Sequence, residues 1–321
     1  MPWLKKNWFL VGLLLAMAAG FLLAERGELL NPGGWTNRVI VFVLFLITGV
    51  KLPSDRIRQD LATPRLHVFL QLFIFVLVPV YFLTAIPLFA DALDGQLIVG
   101  IFALSVLPTA VSSCIVFTQT NNGNTVAAVF NAALANTAGI FLSPILLSLL
   151  LSSSGRALPA SQLLDTLQGL AVNMLLPIVI GQVLRMRMHE WADRNGKRLG
   201  VASNALILVI VLIAFARTGA NPNFARYAPE LVWPLLYLMV SHLVLIGLVL
   251  AISALLRLNR EDRIAALFVG PMKTLALGAP LLTIFFDGQD ILGVALLPLV
   301  IYHPWQLFVA GIVTSRIRRE A

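Results

Sequence analysis

Ten apolar runs, each seventeen residues or longer, follow one another along the 321-residue chain: 8–24, 37–53, 66–88, 96–119, 124–151, 163–185, 199–216, 231–256, 264–286 and 291–315. Runs of that length match the hydrocarbon thickness of a bilayer. Hydrophobic residues make up 59% of the sequence. A soluble domain of this size cannot enclose that many helices apolar on every side, so the runs imply a membrane protein. Residues 1–24 begin with Lys5 and Lys6 before an apolar stretch, as a secretory signal does, but no small-x-small cleavage site closes it. They are read as the first of ten spans.

The net charge of +8 does not form one basic face, which excludes a nucleic-acid surface. With the N-terminus in the cytoplasm, 17 of the 23 basic residues fall in cytoplasmic segments, among them Arg185, Arg187, Arg194, Lys197, Arg198, Arg257, Arg260, Arg263 and Arg316. Lysine and arginine carry the orientation signal, so ten spans with both termini cytoplasmic are expected, in a bacterial inner membrane. Two halves of five spans, 1–151 and 163–321 around a polar linker at 152–162, then enter from opposite sides as inverted repeats. The single cysteine excludes an internal disulfide.

Two of these spans are interrupted. In 107–139, Pro108 removes a backbone donor, and Thr109, Ser112, Ser113 and Cys114 follow at once. Asn131 and Asn136 lie in the next span among alanines that permit close helix approach. In LFVGPMKTLALGAP, Gly270 and Pro271 break the helix, Gly278 and Pro280 weaken it again, and Lys273 with Thr274 sits between. A charge at that depth costs about 2.5–3.5 kcal/mol on insertion scales. No acidic residue lies deep in any run, so the ammonium is expected to meet neutral oxygens or the carboxylate or phosphate of a substrate. Broken backbone within a bilayer is tolerated where protein or a watery cavity satisfies the freed groups. Each hydroxyl or amide taken alone is equally compatible with an ordinary bond back into its own helix. Gln71, Asn173, His242, His303 and Gln306 are further polar residues inside apolar runs. No histidine pair has metal-site spacing, and no phosphate loop, nucleophile elbow or paired acids support an enzyme or a cofactor.

GPMKTLALGAP (270–280), TNNGN (120–124) and IYHPWQ (301–306), spaced over ten spans, resemble the bile acid:sodium symporter superfamily in its SBF-like branch. The resemblance implies a panel domain of spans 1, 2, 6 and 7 and a core domain of spans 3–5 and 8–10. It also implies unwound fourth and ninth spans crossing near the midplane, and alternating access coupled to sodium. For the ion sites it implies a Ser–Asn pair after the first proline break, where this chain has Ser113 and Cys114. It places hydroxyls at Ala128 and Ala132, and a glutamine at Gln71. The glutamate and glutamine implied for the ninth span have no counterpart, and Lys273 stands near the glutamine position. Sulfur is a poor ligand for Na⁺, which prefers oxygen. Either Thr109, Ser112, Ser113, Asn131 and Asn136 bind the ion differently, or the Lys273 ammonium occupies an ion site itself.

These features point to a secondary transporter of a small organic anion in a lipid bilayer, coupled to Na⁺ or H⁺. The alternative is a non-transporting membrane scaffold or regulator of ion or envelope homeostasis, which has no need of two broken polar spans. Oligomeric state is open, and a monomer is compatible with all of these features.

Overall fold

The computed structural model describes residues 8–51, 63–84, 96–153, 168, 171–220, 231–286 and 292–320, and every regular element in them is helical. The helices are α1 (Trp8–Leu22), α2 (Trp35–Lys51), α3 (Pro64–Leu83, with a π-turn at Phe73–Leu77), α4 (Gln96–Val106), α5 (Val111–Thr120) and α6 (Thr125–Ser153). They continue as α7 (Leu176–Gly219, preceded by a π-turn at Ala171–Leu175), α8 (Val232–Leu255), α9 (Arg260–Val269), α10 (Leu275–Phe285) and α11 (Leu292–Glu320). Large apolar side chains such as Leu15, Val80, Leu149, Val209 and Phe308 are exposed on the helices, as lipid contact requires. Lys5, Lys6, Arg56, Arg58, Arg156, Arg226 and residues 154–162 of the expected linker lie outside the described residues.

The expectation of ten spans in two inverted five-helix repeats is corrected by the structure. Among the described residues six helices are long and apolar enough to cross a membrane, or seven if the bent pair α4 and α5 counts as one. Three local causes account for the difference. The expected sixth and seventh spans run on without an intervening loop, because RMRMHEWADRNGKR holds strong helix formers and no proline; the two helical stretches meet at a kink at Met188 (φ −126°, ψ 27°) and are counted together as one helix. α1 has 15 residues, short for a crossing. The expected ninth span is divided into α9 and α10, of 10 and 11 residues.

The chain forms two compact units. In the first (1–52, 158–230 and 276–300), α7 packs along α1 and α2. The approach of α2 and α7 rests on two glycines. A Cβ at Gly49 would meet the Ile178 carbonyl oxygen, and one at Gly181 would meet Leu46 O and lie 2.8 Å from Val50 N. Once the backbones are this close, the Gln182 side chain donates to Gly49 O at 2.5 Å and Arg185 Nη1 to Val50 O at 3.0 Å. These bonds satisfy carbonyls at the C-terminal end of α2, where a cation also complements the helix dipole. Arg185 is itself balanced by Asp193 at 2.9 Å.

The second unit (53–157, 231–275 and 301–321) contains α3–α6, α8, α9 and the rest of α11. Its helix ends are capped from the sequence. Asn124 Oδ1 accepts from Ala127 N at 2.9 Å at the start of α6, and Asn259 Oδ1 from Asp262 N at 2.8 Å at the start of α9. Asn124 also donates through Nδ2 to Asp262 Oδ1 at 2.8 Å, and through its backbone N–H to Glu261 O at 3.0 Å. TNNGN is therefore a turn tied to the N-terminus of α9, with Asn122 taking the positive φ of 54° that asparagine tolerates.

Gly181→Leu should disrupt the α2–α7 contact and destabilise the protein by about 3 kcal/mol or more. Gly196→Ala, also in α7 but with nothing within 4 Å of an added Cβ, should be neutral or slightly stabilising. Thermal melts of the two detergent-purified variants measure the contrast.

Candidate functional site: two broken helices around Lys273

The two breaks and the groups bonded to them lie in the second unit. α4 stops at Val106 because Pro108 has no N–H for Leu104 O; that carbonyl closes a tighter turn with Leu107 N at 3.3 Å. Residues 107–110 are unwound, Ala110 is extended (φ −76°, ψ 99°), and α5 leaves at 55° to α4. The Pro108 ring is accommodated because residue 139 of α6 is glycine: a Cβ there would lie 2.8 Å from Pro108 Cγ. The second break follows the same logic. α9 ends with Gly270 N donating to Ala266 O at 2.9 Å, Pro271 interrupts the ladder, and α10 resumes at Leu275. Gly270 permits the approach of α8 and α3, since an added Cβ would lie 2.7 Å from Val249 Cγ2 and 3.3 Å from Phe73 Cδ1.

The two unwound segments pair. Thr274 N donates to Pro108 O at 3.0 Å, joining the breaks backbone to backbone. Lys273 Nζ donates to Ser105 O at 2.9 Å and Leu107 O at 2.8 Å, and lies 3.5 Å from Ile74 O. Val106 O accepts from Ser143 Oγ at 2.8 Å, and Thr109 O from Asn136 Nδ2 at 2.9 Å. Every carbonyl from Ser105 to Thr109 thus has a donor within the protein, as buried backbone requires. Lys273 is 2% exposed. The ammonium sits at the C-terminal end of α4, where the helix dipole is negative.

Its backbone is fixed as firmly as its head group. Gln306 Oε1 accepts from Lys273 N and Gln306 Nε2 donates to Lys273 O, both at 2.8 Å. One turn earlier on α11, Tyr302 OH donates to Pro271 O at 2.9 Å and accepts from His242 Nδ1 at 2.8 Å. IYHPWQ therefore places two side chains four residues apart on one helix face, against two backbone positions two residues apart in an extended segment. Trp305 Nε1, donating to Met239 O at 3.1 Å, ties the same turn to α8.

The structure thus brings Pro108, Thr109, Asn136, Gly270, Pro271, Lys273, Thr274, His242 and Gln306 into one cluster. His303 borders it, with Nδ1 3.0 Å from Gln306 Nε2. Gln71 and Asn131 form a separate network on α3 and α6. Gln71 Nε2 donates to Asn131 Oδ1 at 3.3 Å, and Asn131 Nδ2 bonds His67 Nδ1 at 2.8 Å. Ser112 is exposed and Ser113 half-buried on α5, while buried Cys114 turns its thiol to Val111 O at 3.3 Å. Gly278 and Pro280 lie inside α10 without breaking it. Asn173 is in the first unit, lining a cavity of about 30 Å³ with Asn37, Arg38 and Thr283. Among the described residues no group of three or more His, Cys, Asp or Glu is placed to hold a metal. Thr109 Oγ1 and Gln71 Oε1 are two of eight buried side-chain polar atoms among the described residues that lack a hydrogen-bond partner.

Sequence reasoning missed Ser143, His67 and Tyr302. Only Tyr302 had a usable signal, as the residue four before Gln306 in IYHPWQ. The carbonyls of Ile74, Ser105 and Leu107 have no signature in residue type at all.

Helices broken inside an apolar bundle, with their ends gathered around a buried charge, define a multi-pass membrane transporter. The SBF-like CPA transporter family profile matches residues 7–319, and the chain belongs to that family, a branch of the bile acid:sodium symporters. It is 30% identical to sodium/bile acid cotransporter 7 of Xenopus tropicalis over 98% of this chain and 92% of that one. For the Rattus norvegicus protein of the same name the values are 30%, 98% and 93%. An uncharacterized protein of Pseudomonas aeruginosa is 31% identical over 95% of this chain and 92% of its own length.

Gln306→Ala should leave both the Lys273 N–H and its carbonyl unsatisfied, at roughly 1–3 kcal/mol each. Gln306→Glu retains the acceptor and should lose less. Melting curves of the two variants against the wild-type protein test this ordering.

Proposed function

We propose that this protein is a secondary active transporter that moves a small organic anion by alternating access, with Na⁺ as the coupling ion. The observation that carries the reading is the pairing of the two broken helices through Thr274 N and Pro108 O, with all five carbonyls of the first break engaged. A static membrane helix gains nothing from such a break. A transporter uses it to bring helix ends and free polar groups to a binding site. The names of the vertebrate relatives specify sodium and a bile acid, which is an organic anion, and this supports the same pairing of ion and solute here.

The buried oxygens of Gln71 and Thr109 support sodium from the chemistry of the donors. Hard cations take oxygen ligands, and an unpartnered buried acceptor is otherwise a net cost. Asn131 and Asn136 hold these two residues in place: Asn131 accepts from Gln71, and Asn136 donates to the carbonyl of Thr109. The inner membrane of a bacterium is the proposed location, with cytoplasmic termini. α7, at 44 residues with a kink at Met188, holds about twice the number that one crossing needs, so part of it must leave the bilayer. Its charged middle, Arg187 to Arg198, is the part that fits water and the cytoplasmic side.

Purified protein in liposomes, given inward Na⁺ or pH gradients and labelled organic anions, should accumulate an anion under the Na⁺ gradient. Gln71→Leu should lower the apparent Na⁺ affinity at least tenfold, while leaving the anion KM at saturating Na⁺ within about threefold, a difference of roughly 0.7 kcal/mol. Uptake unchanged when K⁺ replaces Na⁺ at constant pH would refute sodium coupling.

A further inference from the structure

We infer that Lys273 is a tethered cation: its ammonium permanently fills a carbonyl-lined cation site made by the breaks in the helices, and this site takes no alkali ion. The inference deepens the transport reading and draws its meaning from it, but it rests on geometry that can be tested without transport.

The three oxygens around Nζ are all backbone carbonyls, and each has lost its helical donor for an identifiable reason. Ser105 O and Leu107 O face the unwound segment 107–110, where no ladder continues. Ile74 lies in the π-turn of α3. There Val78 N is taken by Phe73 O, and residue 79 is a proline with no N–H, so Ile74 O is left facing Lys273. A ring of carbonyls stripped of donors is the arrangement by which proteins replace the hydration shell of a monovalent cation. Here the cation is the chain's own.

Two alternatives fail on the same geometry. A lysine that anchors a substrate anion needs a free N–H and an open approach. An ammonium has three donors, three carbonyls surround Nζ, and the residue is 2% exposed. A lysine paired with a carboxylate needs an acid within reach. Among the described residues the two ion pairs are Arg185–Asp193 and Arg194–Glu190. The buried Asp262 lies near the far end of α9, roughly 10 Å of helical rise before the break begins, and is held by Asn124 and Asn259. Nor can the charge swing out easily, because the Gln306 amide fixes the Lys273 backbone on both sides. The Na⁺ proposed above therefore binds elsewhere, at the unpartnered oxygens of Gln71 or Thr109.

Truncation should turn the tethered cation into a dissociable one. Lys273→Ala removes a chain equivalent to n-propylammonium, so that ion should refill the space. In choline chloride the variant should melt about 5 °C or more below the wild type. n-Propylammonium chloride should close at least half of that gap, and n-propanol, its neutral counterpart, should not. Lys273→Met fills the space without charge and should stay low in every salt. A gap that n-propylammonium leaves unchanged, or a Lys273→Met protein as stable as the wild type, would overturn the inference. Reductive methylation of the folded wild-type protein, read by peptide mass spectrometry, keeps the test independent of either variant. Exposed Lys51 and Lys197 should be methylated and Lys273 spared in Na⁺ and K⁺ alike. Modification of Lys273 at the rate of Lys197 would equally overturn it. Absence of anion uptake in liposomes leaves these results untouched, so the two readings fail separately.

Discussion

The bond between the Lys273 ammonium and the carbonyls at the end of α4 is the constraint around which the second unit is arranged. A helix broken in an apolar environment exposes acceptors that no water reaches, and each unsatisfied one costs several kcal/mol. Pro108 creates that liability and Lys273 removes the largest single share of it, taking two of the five carbonyls of the break directly. Its neighbour Thr274 takes a third through its backbone, and Ser143 and Asn136 take the rest. The lysine is equally dependent on the break. A buried ammonium without a counter-ion is sustained only by oriented dipoles, and an intact α4 would have spent those carbonyls on its own ladder. Each feature supplies partners that the other lacks.

This mutual dependence explains why so much of the surrounding polar chemistry is directed at backbone. Gln306 spends both ends of its amide on Lys273 N and O, Tyr302 spends its hydroxyl on Pro271 O, and Asn136 spends an N–H on Thr109 O. Residues that look like ion or substrate ligands in an apolar run are here the braces of unwound segments. TNNGN has the same character, binding the α5–α6 turn to the cap of α9 through Asn124 and Asp262. The motifs that carry the family resemblance are thus largely those that hold the breaks open and in register. Gln71 Oε1 and Thr109 Oγ1 are among the buried groups left without a bond to make.

What the sequence revealed follows from this division. The breaks at Pro108 and at Gly270–Pro271 were legible because proline and glycine act locally, and Lys273 was legible because a charge in an apolar run is costly wherever its partner lies. The partners were not legible, because a carbonyl belongs to every residue type and becomes available only when its ladder is interrupted. Ile74 shows this most clearly: it is an ordinary apolar residue whose oxygen is freed by a π-turn and by a proline five positions on. The span count failed for a different reason. Hydropathy marks where a chain is apolar, whereas a helix ends only where something stops it, and between Leu176 and Gly219 the chain kinks at Met188 without opening a loop. Gly278 and Pro280 fail as breakers in the other direction. Pro280, the sixth residue of α10, removes one bond of the helical ladder, yet the helix passes through it.

A fixed ammonium and a mobile sodium ion make different demands on a transport site. A mobile ion must find its ligands incompletely satisfied, so that its arrival or departure shifts the balance between conformations. A fixed cation does the opposite, because ligands that are always occupied lock one geometry and contribute no differential binding. With Lys273 filling the carbonyl site as inferred above, the paired breaks would behave as a rigid joint, and ion-dependent change would come from groups whose bonding is unfinished. Gln71 on α3 and Thr109 in the unwound segment are the proposed candidates. Each offers a buried side-chain oxygen without a hydrogen-bond partner, and each is held by an asparagine of α6. Binding an ion at either would therefore bear on α6 while leaving the lysine and its carbonyls in place. On the proposed sodium coupling, the element that keeps the helices broken would be separate from the element that senses the ion.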